Sequence, residues 1–466
     1  MDEKRGGKPS FAAAATAVGC FAAVMSYAIV ALDAPPHLPM LLGCFAAGLA
    51  ALLSGSRWED IERGIVRGIS QSLVSLVILM LIGVWIGSGV VPVMIRQGLA
   101  ILTPRYFLVS TMFLCSVVSM ALGSWGTAGT VGLALMGVAH AMGIPPAAAA
   151  GAIISGSYFG DKASPLSDTT NLASAVTDVD IFTNVRHMFP VAVSVYLIAG
   201  ALYTAVGLGY GGEGAAAEGV ARLISGLDAA FGSSMLNFLP LVILIACILL
   251  KIPSIPSIAL GILAAAALGL FVQGTSAAEL FRYGFSGYTS NTGDEMMDAL
   301  LTAGGLEAMM FSVSLIICAM MFGGIMEECG LMEALMAPVF RLIGGRGPGA
   351  GRTSKVKIVG ATLASCALVN LLLPEQYVAI SLPGRMFAAA YDRNGIPRKD
   401  LTRAINAGGS ATSALVPWNT CGVFMTGVLG VSTYAYAPWA FLNLVMPFAV
   451  ILATFLSGRE KTNKPG

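Results

Sequence analysis

Long apolar runs, cut by short polar or glycine-rich stretches, set the pattern of this chain. A helix needs about 20 apolar residues to cross the hydrocarbon core of a bilayer. Residues 11–31 and 38–54 supply two such runs, separated by a turn at Asp33–Leu38 that holds Pro35 and Pro36. Residues 56–70 carry charge on one helical face and predict an amphipathic interfacial helix. A third span fits 71–93. The stretch 106–177 is too long for ordinary spans and is interrupted twice. Residues 106–122 and 131–143 read as the arms of a re-entrant hairpin with its tip near Trp125–Thr127, inside GSWGTAGT (123–130). Residues 147–160 and 172–177 read as one span broken by DKASPLSDTTN (161–171), where Pro165 opposes regular helix. An amphipathic segment (178–188) and a full span (189–208) complete this half.

After a Gly/Ala-rich loop (209–233) the order of events recurs. Spans fit 234–250 and 254–272, 276–300 is a more polar interfacial segment, and 305–327 spans again. Residues 357–390 are interrupted at LPEQY (373–377), a second hairpin with its tip near 374–377. The span 404–430 is interrupted at GGSATSALVPWNT (408–420), and 437–457 is the last span. Gly160, Ser164 and Leu166 fall on Gly409, Ser413 and Leu415 at one constant offset, and Gly83 and Gly323 pair at a nearby one. Weak internal symmetry with breaks at corresponding places marks secondary transporters. The expected division is a first repeat at 1–208, a linker at 209–233, a second repeat at 234–457 and a cytoplasmic tail at 458–466.

Composition narrows the class. Charged residues make up 11% of the chain and hydrophobic ones 56%, against roughly 25% charged in ordinary soluble domains. A soluble fold would expose far too much apolar surface, so a soluble enzyme and a disordered chain are excluded. The net charge of +1 leaves no basic surplus for nucleic acid. The eight cysteines lie in apolar runs without a CxxC or a Cys/His cluster, and HExxH, GxSxG and GxxxxGK[ST] are absent. The reading is therefore not an enzyme, with no cofactor. Basic residues give the orientation. With the N-terminus inside, 20 of the 26 Lys and Arg fall on the cytoplasmic side, including Arg341, Arg346, Arg352, Lys355 and Lys357. That asymmetry predicts ten crossings of the inner membrane with both termini cytoplasmic, and it makes the two halves inverted. The expected fold is an all-α polytopic membrane protein of two inverted five-span repeats, each with a hairpin and a broken helix.

Irregular backbone at membrane depth is tolerated where it lines a cavity or is buried in protein. Side-chain oxygens concentrate at the four interruptions: Ser124, Thr127, Ser164, Ser167, Thr169, Thr170, Asn171, Gln376, Ser410, Thr412, Ser413, Asn419 and Thr420. Oxygen ligands suit a hard cation such as sodium. The membrane-depth acids are Asp161, Asp168 and Glu375, costly there and functional by default. Each also has a structural reading. Asp161 can pair with Lys162, Asp168 can cap the resuming half-helix, and Glu375 can cap the helix after Pro374. Asp168 has no basic neighbour in sequence and lies in the densest run of oxygens. That makes it the first candidate for a carboxylate that binds sodium or a proton, with Asp161 second.

GSWGTAGTVGLALMG (123–137), GAIISGSYFGDKASPLSDTTNLA (151–173), LPGRMF (382–387) and LVPWNTCG (415–422) resemble the NhaC-type sodium/proton antiporter family over nearly the whole chain. The resemblance implies an elevator-type carrier, a scaffold plus a mobile transport domain, in a homodimer in the lipid bilayer. It implies exchange of cytoplasmic sodium for external protons, with Asp161, Ser164, Asp168, Thr170 and Asn171 matching the family's ion motif. Related members couple sodium or protons to malate, lactate or amino acids, so an organic-anion or amino-acid exchanger stands as the alternative. The second tip reads Leu-Pro-Glu-Gln-Tyr where a Gly-Asp-Gln-Tyr-like tip is commoner, lengthening the acid arm by one methylene. The candidate cation- and proton-binding residues are Asp168, Asp161, Ser164, Thr170, Asn171, Thr127, Glu375, Ser413 and Asn419.

Overall fold

The computed structural model describes residues 9–32, 37–71, 83–165, 167–210, 215–231, 234–250, 252, 254–293, 297–298, 301–302, 305–307, 310–344, 354–373 and 375–460. Every regular element of more than a single bridge among them is helical. The prolines of the first turn, residues 72–82 of the span 71–93, Leu166, Pro374, Arg346, Arg352 and residues 461–466 lie outside the described residues.

The chain enters through Phe11–Ser26, capped by Ser10 Oγ accepting from the Ala13 N–H (3.1 Å), and returns through His37–Leu53. Ala14, Ala17, Val18, Phe21 and Met25 recur at helical spacing and are buried, and Phe21 stacks on Phe322 at 4.5 Å. Trp58–Gln71 is amphipathic as predicted. Its glycines are apposed to backbone: a Cβ on Gly68 would sit 2.1 Å from the Met320 carbonyl and one on Gly64 2.6 Å from Gly324 O. This helix therefore packs directly on Met310–Glu328, while Arg63 and Arg67 pair with Glu328 (3.6 and 3.5 Å). Together with Leu331–Gly344, which the sequence reading left unassigned, these helices share one apolar core.

Several boundaries differ from expectation. The third span does not run through to 93. It turns at Ser88–Gly89, where Gly89 takes φ +80°, and a new helix follows at Val90–Ile101. Gly330 (φ +70°) similarly precedes Leu331–Gly344. Positive φ is where glycine alone is unstrained. The expected loop 209–233 holds a helix, Ala215–Ala230, because Leu223, Leu227 and Phe231 repeat every four residues and bury against the core. Arg96 ties it to Val90–Ile101 through Asp228 (3.0 Å). The amphipathic segment 178–188 and the span after it form one helix, Ile181–Gly207, passing through Pro190. The segment 276–300 opens with a capped helix, Ala277–Ser286, in which Ser276 and Glu279 cap reciprocally.

The four interruptions are present and narrower than expected. The first hairpin turns at Gly123 (φ +70°, ψ 175°), not near 125–127. Helix resumes at once because Thr127 and Thr130 donate to the carbonyls of Gly123 and Gly126 (2.8 and 2.7 Å). A wider π-turn follows at Ala128–Gly132, then Leu133–Ala141. The first broken helix consists of Pro146–Ala163 and Asp168–Thr177, so only 164–167 is non-helical. The second hairpin consists of Lys355–Leu372 and Gln376–Arg393. The second broken helix runs Arg398–Ile405, a π-turn at Asn406–Ser410, and Ala411–Ser413. It then breaks over 414–419 and resumes at Thr420–Leu429. Phe441–Glu460 follows, as Ile181–Gly207 follows the first pair. Hairpin, broken helix and long helix thus recur in the same order. Of the described helices, Ile181–Tyr210 and Lys355–Leu372 are each long and apolar enough to cross a membrane unaided. Three further pairs, one bent by 103° between Val90–Ile101 and Pro104–Met120, reach that length only together.

Candidate functional site

Close backbone approach builds the first half of the site. A Cβ on Gly156 would lie 2.2 Å from the Met112 carbonyl and one on Gly160 2.2 Å from the Ser116 carbonyl. Phe107–Thr127 and Pro146–Ala163 therefore touch main chain to main chain, and Ser164 Oγ locks the contact by donating to Met120 O (2.6 Å). This sets the Gly123 turn against the end of Pro146–Ala163, where Asp161 Oδ1 lies 3.8 Å from the Gly123 Cβ position.

Asp161 and Lys162 occupy the last turn of that half-helix and are both about 1% exposed. Asp161 Oδ2 accepts from Lys162 Nζ (3.2 Å) and from Thr169 Oγ1 (2.9 Å) across the break. Thr170 Oγ1 donates to the Asp161 carbonyl (3.2 Å). Lys162 Nζ also donates to Ser410 Oγ in the second broken helix and lies 5.5 Å above the Tyr158 ring. Tyr158 OH and Ser413 Oγ stand 3.4 Å apart, and Ser413 Oγ donates to the Ser410 carbonyl (2.7 Å).

Asp168 opens the second half-helix. One oxygen accepts from the Thr169 N–H (2.8 Å), and the other accepts from Tyr377 OH of the second hairpin. The Asp168 side chain is exposed, unlike Asp161. Ser167 caps the same turn by accepting from the Thr170 N–H (3.3 Å), and Asn171 Nδ2 donates to the carbonyls of Pro165 and Ser167 (2.9 and 2.7 Å). Glu375 is buried and caps Gln376–Arg393. It accepts from the Tyr377 N–H (2.9 Å) and from Thr420 Oγ1 (3.2 Å), so it joins the second tip to the second broken helix. A small cavity of about 20 Å³ runs beside it, lined by Glu327, Glu328 and Arg67. Asn370 Nδ2 donates to Gly409 O (2.6 Å) and Thr412 Oγ1 (2.9 Å), while its oxygen accepts from Asn419 Nδ2 (3.1 Å).

The structure thus brings Asp161, Asp168, Thr170 and Asn171 together at one break, with Ser164 pinned beside them. Ser413 reaches them through Tyr158 and Ser410. Thr127 is turned to its own helix, and Glu375 and Asn419 cap and brace the second half. Sequence reasoning missed Tyr377, Tyr158 and Asn370, whose roles come from contacts across more than 200 residues or from a carboxamide inside an apolar run. Asn406 is also fully buried, and neither its Nδ2 nor its Oδ1 has a partner among the described residues. Its place on a π-turn is the available signal. Trp125 and Trp418 pack the tips: Trp125 stacks on Phe424 at 4.4 Å, and Trp418 Nε1 donates to Leu371 O (2.7 Å). Among the described residues no three His, Cys, Asp or Glu side chains gather as a metal site.

At the far end of these elements, Asp400 fastens them together. It is 2% exposed and accepts from His187 Nε2 (3.0 Å), Lys355 Nζ (2.9 Å) and Arg403 (2.9 Å). Burial pushes its carboxyl up, but the bonds from His187 and Lys355 and the charges of Lys355 and Arg403 outweigh it and hold the group at about 2.

The sequence places this arrangement among known proteins. The Na+/H+ antiporter family profile matches residues 156–457. The chain is 36% identical over 433 residues to the malate-2H(+)/Na(+)-lactate antiporter of Bacillus subtilis (strain 168), covering 92% of this chain and 91% of that protein. It is 33% identical over 460 residues to the Na(+)/H(+) antiporter NhaC of Alkalihalophilus pseudofirmus, covering 96% and 97%. To the arginine/ornithine antiporter ArcD of Halobacterium salinarum it is 34% identical over 471 residues, covering 98% and 94%.

Proposed function

This chain belongs to the Na+/H+ antiporter family, a family of membrane transporters, and from that premise we propose that it exchanges cytoplasmic sodium for external protons across the plasma membrane. The observation that carries the reading is the position of Asp168. It is an exposed carboxylate between two discontinuous elements, bonded to Tyr377 of one hairpin and one helical break away from buried Asp161. Asp168 is the shared carboxylate: it holds either sodium or a proton, and the occupied form crosses. Asp161, already paired with Lys162, is only the second candidate for that role. Side-chain oxygens of Ser164, Thr170 and Asn171 shape the break, with Thr127, Glu375, Ser413 and Asn419 bracing the tips.

The recurrence of hairpin, broken helix and long helix supports two inverted repeats, 1–208 and 234–457, joined through 209–233 and followed by the tail 458–466. Residues 106–208 and 357–457 form the transport unit. Spans 11–54, 71–93, 234–272 and 305–327 form the scaffold and the contact of a homodimer, with both termini cytoplasmic and an elevator motion between the parts.

Likeness to proteins named for malate, lactate, arginine and ornithine supports a second reading, in which an organic ion is exchanged as well. Local geometry favours the simpler one. A half-helix N-terminus attracts anions through free N–H groups. Here those N–H groups are met by the protein's own side chains: Thr169 N by Asp168, Thr170 N by Ser167 and Cys421 N by Asn419. Proteoliposomes carrying an internal pH dye test both readings. A sodium pulse alone moves protons on the first reading. Proton movement that appears only when malate, lactate or arginine is also supplied establishes the second.

A further inference from the structure

We infer that Lys162 is a resident cation that satisfies Asp161 permanently, so that Asp168 alone is left to take a cation from solution. The inference rests on the reading of Asp168 as the ion site. A charge buried away from water needs a partner, and Asp161 finds one within its own half-helix. Lys162 Nζ lies 3.2 Å from Asp161 Oδ2, and its side chain has no exposed area. The ammonium fills a position ringed by Asp161, Ser410 Oγ and the Tyr158 ring, with Thr169 Oγ1 on the same carboxylate oxygen. These are oxygen donors of the kind a hard cation uses. A sodium ion cannot share that position with the ammonium.

Lys162 therefore sets the count. Two carboxylates and one fixed ammonium leave room for one monovalent cation. Removing the ammonium while keeping Asp161 opens a second position with ready-made oxygen ligands. Removing both members of the pair closes it again and leaves the Asp168 position as it was.

Radioactive sodium binding to the purified full-length protein in detergent, at alkaline pH and scored per chain, tests this. Wild type is expected to bind one ion. Lys162→Met is expected to bind two, a doubling of capacity, and the double variant Asp161→Asn/Lys162→Met is expected to return to one. A merely structural lysine would lower affinity or yield without raising the count. If Lys162→Met binds a single ion as wild type does, the inference is overturned. Should that variant fail to fold because Asp161 is left bare, the double variant decides alone. One bound ion supports the inference, and none overturns it, because Asp161 would then be a sodium ligand itself. A wild-type protein that binds no sodium would instead sink the antiporter reading, and this inference with it.

Discussion

Gly160→Ala adds one methyl group where the first hairpin and the first broken helix meet. The new Cβ would stand 2.2 Å from the Ser116 carbonyl, 2.7 Å from Ser119 Cβ and 2.9 Å from the Met120 N. Two of these three atoms are backbone, so no side-chain rotation relieves the clash. The helices must part by roughly 1 Å to restore ordinary contact. Ser164 Oγ would then lose its bond to Met120 O, now 2.6 Å. The bond from Ser119 Oγ to the Ser157 carbonyl, which crosses the same interface, would go too. Overpacking of this kind costs about 1–3 kcal/mol, and each lost bond adds about 0.5–1.5 kcal/mol. Apparent melting in detergent, read from the folded fraction on size exclusion after heating, measures the loss. Gly19→Ala is the control, since nothing among the described residues lies within 4 Å of its Cβ position. Gly160→Ala should melt well below wild type and exchange sodium poorly, because the displaced residue adjoins Asp161. A Gly160→Ala protein that melts with the control would refute the close approach.

Tyr377→Phe removes the hydroxyl that donates to Asp168. A hydrogen bond to a charged group is worth about 1.5–3 kcal/mol, so sodium affinity measured by isotope binding should fall roughly tenfold or more. An unchanged affinity would mean that sodium binds away from this pair. Asp400→Asn leaves Lys355 and Arg403 without their shared carboxylate and should destabilise by about 3–5 kcal/mol. The native Asp400 carboxyl titrates at about 2, below its ordinary value of 3.8. Its contribution is therefore complete above pH 3.8 and lost as pH falls through about 2. Melts across that window should narrow the gap between wild type and variant toward the acid end, and a gap that stays the same size throughout would contradict the assignment.

Much of this architecture is legible in the chain. Four interruptions in apolar runs locate both hairpins and both broken helices, because glycine, proline and hydroxyl clusters are costly in lipid unless the backbone bends there. Their widths are not legible. Asp161 and Lys162 remain helical, and Asp168 already begins the next helix, since Ser167 caps Thr170 and restores the hydrogen bonding within one turn. The helix Ala215–Ala230 was hidden by its Gly/Ala composition, and only Leu223, Leu227 and Phe231 betray it. At the site, adjacency in sequence revealed the Asp161–Lys162 pair. The partner of Asp168 is a tyrosine 209 residues away, on the second hairpin. Such pairings depend on how the two halves interlock, which local pattern does not encode.

The central claim, that Asp168 is the carboxylate on which sodium and protons compete, meets its most direct test in Asp168→Asn. The amide keeps the size and can still accept from Tyr377, but it carries no charge and takes up no proton. Purified variant and wild type are reconstituted at equal density, and internal pH is followed after a sodium pulse. The account predicts rapid proton movement for wild type and none for Asp168→Asn, with the variant eluting as the same folded species. Exchange by Asp168→Asn at the wild-type rate and with the wild-type pH optimum would contradict it and move the ion to Asp161 or Glu375.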